Sequence, residues 1–234
     1  MLDPTSILDS LNRLRAVDRG HSIFGSDHHR YVLRPPLPEE QVTAFEARHG
    51  VTLPEDYRVF LTRVGNGGAG PYYGLLPMGE QDDGPSTCKW EAGFLVGDIA
   101  APFRHEGPWN LPEEFWAQAP EWSDDMPEEE QDRLTEEWDD RLETEYWAPA
   151  IMNGAIPICH LGCALRHWLV VTGTRRGEVW YDHRVDEGGI GPLIGTTDQP
   201  VTFETWYMGW LDEGLARLTQ TRGSWLARLP GRRV

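Results

Sequence analysis

Lysine and arginine are scarce in this chain of 234 residues: 21 of them stand against 38 aspartates and glutamates, a formal net charge of −17. Nucleic acid and anionic membrane surfaces are bound by cations that neutralise phosphate, so neither is expected as a direct partner. A basic protein is the natural complement, and a cationic ligand is the other option. Cysteine is scarce too, with three residues (Cys88, Cys159 and Cys163), which is no basis for a disulfide framework. No apolar run approaches the roughly 18 residues of a membrane span. The start, MLDPTSILDS, lacks the basic and then apolar pattern of a secretory signal. These absences lead to the expectation of a soluble, cytoplasmic protein. Aromatic residues, by contrast, are plentiful. Eleven Trp, seven Tyr and seven Phe, within a 39% hydrophobic content, can build a substantial core, so disorder of the whole chain is excluded. The length suits one domain spanning 1–234, and no internal repeat is visible.

The acidity is concentrated. Residues Glu113 to Glu145 hold fifteen acids and two arginines, a net of −13, which leaves only −4 for the rest of the chain. An ordinary, mildly acidic body carries one intensely acidic segment.

Before that segment the periodicity is helical. Leu8, Leu11 and Leu14 share a stripe between Thr5 and Val17, with Gly20 as a stop. After a polar loop, HSIFGSDHHR, two proline-led helices are predicted. One follows Leu37-Pro38 with Val42 and Phe45 inward and Gly50 at its end. The other follows Leu53-Pro54 with Tyr57, Phe60, Leu61 and Val64 inward, and Gly65 stops it. The short link between them suits an αα-hairpin. Glycines 65, 67, 68 and 70 then mark a turn with positive φ or close backbone approach. Gln81 to Lys89 reads as loop, GFLVGDIAAPF as strand or extended chain, and Trp109-Asn110-Leu111-Pro112 as the lead into another helix.

Beyond the acidic segment the pattern is that of strands. Ala155 to Cys159, His167 to Gly173 and Gly177 to Asp182 are β-rich, with Arg175-Arg176-Gly177 in a hairpin position. A final amphipathic helix is predicted from Phe203 to about Leu218, with Trp206, Trp210, Leu211, Leu215 and Leu218 on one face. Helices, then strands, then a helix predict an α+β fold: a largely antiparallel twisted sheet with flanking helices, and an acidic helical insertion at 113–148.

The run LPEEQVTAFEARHGVTLPEDYRVFLTRVGNGGAGPYYGLLPM resembles the SUKH superfamily in its SMI/KNR-type branch. The resemblance rests on the helix pair, Leu53-Pro54-x-x-Tyr57, Phe60-Leu61, Gly65-Asn66-Gly67, and Gly70-Pro71 followed by Tyr73-Gly74-Leu75. A later stretch, from Asn153-Gly154 through Gly162 and Leu169 to Gly177-x-Val179-Trp180, is similar to that family's strand region, and together the two cover most of Leu37 to Asp182. The branch contains bacterial immunity proteins and fungal regulators of cell-wall synthesis. The resemblance implies an α+β domain that binds protein without catalysis and, in bacteria, neutralises a toxin from a neighbouring cell. The long acidic segment departs from the minimal domain.

No residue pattern argues positively for an enzyme. The glycine-rich turn lacks the Gly-Lys-Ser/Thr ending and the preceding strand of a phosphate-binding loop. Cys159-His160-x-x-Cys163, with His167 nearby, lacks a second ligand pair for zinc, and small buried thiols near a strand turn are the simpler reading. His28-His29 and His105-Glu106 read as loop histidines titrating in solvent. No Gly-x-Ser-x-Gly elbow is present. No metal and no cofactor are expected. Trp90, Trp109 and Trp122 are candidates for surface anchors.

The segment from Pro127 to Trp147 is predicted to be a helix, led by Ser123-Asp124-Asp125 as capping residues. Trp138, Leu134, Leu142 and Tyr146 form a stripe that should dock on the body. At about 1.5 Å per residue its length is about 31 Å. With ten acids and two arginines it carries about one net charge per 4 Å, close to the spacing of about 3.4 Å along a DNA strand. Glu143 and Glu145 at the carboxyl end oppose the helix dipole, so helix stability alone does not account for the charge. Two uses remain: a solvated face that keeps the protein soluble, or a face for a basic partner. In the second, Glu128, Glu129, Glu130, Asp132, Glu136, Glu137, Asp139, Asp140 and Glu143 would engage a cognate toxin, a nuclease being one such target. The alternatives are a regulatory scaffold of the cell-wall-regulator kind and a metal-dependent hydrolase using the Cys/His cluster.

Overall fold

Proline places the helix starts. In the computed structural model, which describes residues 2–78, 96–121, 123 and 125–226 and side chains as far as 219, helix α1 (Pro4–Val17) opens on Pro4, and the Asp3 carboxylate accepts from the Thr5 N–H at 3.0 Å. Helices α3 (Glu39–His49) and α4 (Glu55–Arg63) each begin directly after a proline. Each carries acids in its first turn and bases in its last, as the helix dipole favours. Gly50 ends α3 in the left-handed conformation. The two helices pack together, and Arg58 of α4 reaches Glu46 and Glu39 of α3.

Two details differ from the sequence expectation. The buried stripe of α1 runs through Ile7, Leu11 and Leu14, while Leu8 is 40% exposed. The polar stretch after α1 contains a short helix, α2 (Ser26–His29). It is held by the buried Asp18, whose carboxylate accepts from Ser22 N–H and hydroxyl and from the Tyr31 hydroxyl at 2.6 Å.

Strands β1 (Ala155–Gly162), β2 (Leu165–Val170), β3 (Val179–Asp182) and β4 (Ile190–Pro192) form an antiparallel sheet in the order β1-β2-β3-β4. Cys163 and Ala164, both at positive φ, close the β1–β2 hairpin in the manner of a two-residue loop. The expected α+β fold with an antiparallel sheet and flanking helices is therefore what the chain adopts. Strand β4 was not expected, because three residues, Ile-Gly-Pro, are too few to show alternation. The described part of GFLVGDIAAPF, residues 96–103, contains no strand. The predicted loop 81–89, Trp90 and Trp122 lie outside the described residues.

Both faces of the sheet are covered, which is why the strands read as nearly continuous apolar runs. Ile156, Ile158, Leu169 and Val179 pack with α1, α3, α4 and the last helix, α7 (Phe203–Leu226). Phe203, Tyr207 and Leu211 of α7 are fully buried, and the Tyr207 hydroxyl donates to the Ala69 carbonyl at 2.8 Å. On the opposite face Trp168 and Trp180, paired across β2 and β3, pack with Phe103, Ile151, Met152 and Ile190. No helix among the described residues is long and apolar enough to cross a membrane.

The glycine-rich turn is where three segments meet. Gly68, at φ +98°, exchanges backbone hydrogen bonds with Leu75 and bridges Leu33, and an added Cβ would lie 2.5 Å from the Val32 carbonyl oxygen. Gly68→Ala is therefore expected to cost at least about 2 kcal/mol, from left-handed strain plus overlap with backbone. Gly20→Ala, at a site with nothing within 4 Å, should stay within about 0.5 kcal/mol. Urea denaturation of the two variants checks this, and equal effects would refute it.

Candidate functional site

Helix α6 (Glu128–Glu145) realises the acidic helix expected from the sequence, and a four-residue helix, α5 (Glu113–Trp116), lies before it. Its capping differs from expectation. Pro127 is the N-cap, no side chain caps the end, and the Ser123 hydroxyl instead accepts from the Asp125 N–H at 3.3 Å. Asp124 is outside the described residues.

One row of α6 faces the body: Gln131, Leu134, Trp138, Arg141 and Leu142 are half-buried, and every other residue of the helix is exposed. The Trp138 ring lies 5.0 Å from Phe115 of α5 and 6.4 Å from Trp116. The Arg141 guanidinium stacks over Phe115 at 4.7 Å and Trp138 at 5.3 Å. Tyr146, directly after the helix, is 1% exposed and packs on Trp116 and Trp109. The predicted stripe is thus the docking row, although none of its members within α6 is fully buried.

Beyond Tyr146 the helix end is tied to the sheet. The Tyr146 carbonyl accepts from Arg184 Nη1 at 2.9 Å, and its hydroxyl accepts from the Gly189 N–H at 3.1 Å. Arg184 in turn donates twice to Asp182, at 2.9 and 2.8 Å, and Trp168 Nε1 donates to the same carboxylate at 3.2 Å. Asp182 and Arg184 are buried to within 2%. This anchor was missed in the sequence, where Trp180, Asp182 and Arg184 nonetheless stand two apart. A charged residue in phase with a buried strand face was the available signal.

All nine acidic residues expected to meet a partner are exposed. The two arginines of the helix are withdrawn from that face. Arg133 pairs with Glu137 at 2.7 Å and Glu130 at 4.0 Å, and Arg141 with Glu145 at 3.5 Å. Among the described residues Glu128, Glu129, Asp132, Glu136, Asp139, Asp140 and Glu143 form no ion pair. At about 100° per residue these seven fall within about 120° of arc, opposite the docking row. They span about 22 Å at about 1.5 Å per residue, or about one unpaired charge every 3–4 Å.

The other candidates resolve into structure. Cys159 is fully buried, and its Sγ lies 3.2 Å from the Pro71 carbonyl oxygen, to which it donates; burial pushes the thiol well above its ordinary range. Cys163 is exposed on the hairpin turn, contrary to the expectation of two buried thiols. His105 is not a solvent-titrating histidine. It is buried with Nε2 2.8 Å from the Ile151 carbonyl, and burial lowers its pKa. His29 is half-buried beside Tyr31 and Trp210, and burial lowers its pKa to about 4. Trp109 is half-buried: its backbone pairs with Ile190 and its ring packs on Tyr146. Among the described residues no group of three His, Cys, Asp or Glu is placed to hold a metal ion.

Residues 36–194, a stretch that includes the helix pair, the acidic helix and the sheet, match the family model described as SMI1 / KNR4 family (SUKH-1). No curated protein and no solved structure matches the chain.

Proposed function

The chain belongs to the SMI1/KNR4 family (SUKH-1), and from that membership we propose that it is a non-catalytic immunity protein that neutralises a bacterial toxin by direct binding. The observation that carries the choice of surface is the row of seven unpaired carboxylates on α6. Such a row attracts a basic protein over long range and speeds encounter. Its charge spacing is close to that of a nucleic-acid strand, so a nuclease whose substrate channel is basic is a fitting target. The helix then occupies the place of the substrate.

Co-expression tests the reading. The reading predicts a toxin gene beside this chain's own, whose product should be toxic alone and harmless when co-expressed with this chain. Reversing Glu136, Glu137, Asp139 and Asp140 to lysine should weaken binding to that toxin at least tenfold and flatten its salt dependence, because each lost charge removes a screened attraction. Thermal stability should change little, since all four side chains are exposed and the one ion pair lost, Glu137 with Arg133, lies at the surface. Unchanged affinity and salt slope would sink the α6 assignment. A stable host partner with no protection from the toxin would replace the immunity reading with a regulatory one.

A further inference from the structure

A second surface lies away from α6. A groove of about 1080 Å³ runs between α7, the Pro71–Tyr72 turn, the β1–β2 hairpin and the chain after β4. Trp206, Gly209, Trp210, Glu213 and Arg217 of α7 line it, at the spacing of one helix face. Phe24 and Ile194 contribute to its walls, although they are 58% and 54% exposed. Its volume is at the upper end of the roughly 300–1,000 Å³ typical of small-ligand sites.

Two features are not accounted for by folding. Gly209 sits inside α7 without a positive φ, and a Cβ there would meet nothing within 4 Å among the described residues. Glycine weakens a helix interior relative to alanine, so neither conformation nor packing requires it here. What its lack of a side chain provides is room for another backbone on the groove floor. The second feature is His167, which lines the groove at 4% exposure between Tyr72 and Trp206, with ring centroids at 5.5 and 5.7 Å. Its Nδ1 has no hydrogen-bond partner among the described residues. Buried polar atoms are normally paired, and a polar atom left without a partner beside a groove points to an occupant that supplies one. Tyr72 is itself held at φ +54°, a conformation that non-glycine residues adopt at a cost.

Charge selects the occupant. Glu213 is exposed on the groove-lining face of α7 and forms no ion pair among the described residues, and the chain outside the acidic segment still carries a net −4. Arg217, one turn further on, is already engaged. We propose that the groove docks an extended segment of a protein partner, with its backbone over Gly209, an apolar side chain against Trp206 and a lysine or arginine beside Glu213. The proposal rests on the reading of this chain as a protein-binding module and adds to it a second, mainly apolar contact. The partner would thus be held by charge at α6 and by shape at the groove.

A 12-residue peptide library displayed on phage, selected against the full chain, tests this. Enriched peptides should combine an apolar residue with lysine or arginine. Their synthetic forms, followed by fluorescence anisotropy, should bind Gly209→Gln at least tenfold more weakly and Glu213→Lys several-fold more weakly. Gly209→Gln should fold with an unchanged or higher melting temperature, because open space receives the side chain. Binding should be unaffected by the fourfold lysine variant of α6, which separates this surface from the toxin-facing helix. If co-expression gives no protection while peptide capture persists, the immunity reading fails alone. Several results would overturn the groove assignment: no enriched peptide, acidic consensus peptides, or equal binding by Gly209→Gln. Self-association of the chain that Gly209→Gln abolishes would also overturn it, since the occupant would then be a second copy.

Discussion

Replacing Asp182 with alanine is expected to lower stability by about 3–5 kcal/mol, the cost of stranding a buried charge. The Arg184 side chain is 0% exposed, and among the described residues its guanidinium would keep only the Tyr146 carbonyl as a hydrogen-bond acceptor, beside the Trp147 ring at 5.3 Å. The Trp168 indole N–H would lose its acceptor as well. For a chain of this size about 2–4 °C of melting temperature accompanies each kcal/mol, so the midpoint should drop by about 6–20 °C. Arg184→Met should cost a similar amount by leaving the Asp182 carboxylate unpaired. The double variant Asp182→Leu, Arg184→Met should recover most of the loss, because the large cost belongs to one charge without the other. Urea denaturation of the three variants measures this coupling. Additive losses in the double variant would show that the pair does not act as a unit.

Between pH 7 and pH 5 the protein should lose about 2 kcal/mol of stability for His167 alone, with His29 acting in the same direction. Burial, with a smaller contribution from His183, pushes His167 down to about 4, and burial likewise brings His29 to about 4. Both are neutral in the folded protein, whereas the unfolded chain takes up their protons near 6.5. The stabilisation is therefore complete above pH 6.5 and is lost as pH falls from there toward about 4. Asp18 acts in a lower window. Burial raises its carboxyl, but the hydrogen bonds from Tyr31, Ser22 and Ile23 outweigh that and hold it below 3.8. Its stabilisation is present above that pH and is lost below it. In His167→Phe the difference in unfolding free energy between pH 7 and pH 5 should shrink by about 2 kcal/mol. An unchanged difference would mean that His167 does not resist protonation in the folded protein.

Helices and turns were legible in the sequence wherever local chemistry decides. Pro38 and Pro54 with their acidic first turns announced α3 and α4, and the acid-rich run with its Leu134, Trp138 and Leu142 row announced α6. The acidic face itself was also legible, since charge is read directly from residue type. Features that depend on the other side of a contact were not. Leu8 and Ile7 are both apolar, and only packing against the rest of the core decides which turns inward. His105 looks like a loop histidine until Ile151 arrives from 46 residues away. The tie from Arg184 to the Tyr146 carbonyl, 38 residues away, and the groove beside Gly209 are assembled from segments distant in the chain. A glycine inside a helix is informative only once the space around it is known.

The outward row of α6 is exposed and forms no ion pair among the described residues, while the row that docks it carries almost none of the charge. On the proposed reading, identity of the partner and integrity of the fold are written on different residues of one helix. Substitutions on the outer row act independently of those that hold the core, because distant sites without shared partners add rather than couple. Copies of such a gene can exchange one set of outer residues for another at little structural risk. On the proposed immunity reading, lineages facing changing toxins diversify their defences while inheriting the same scaffold.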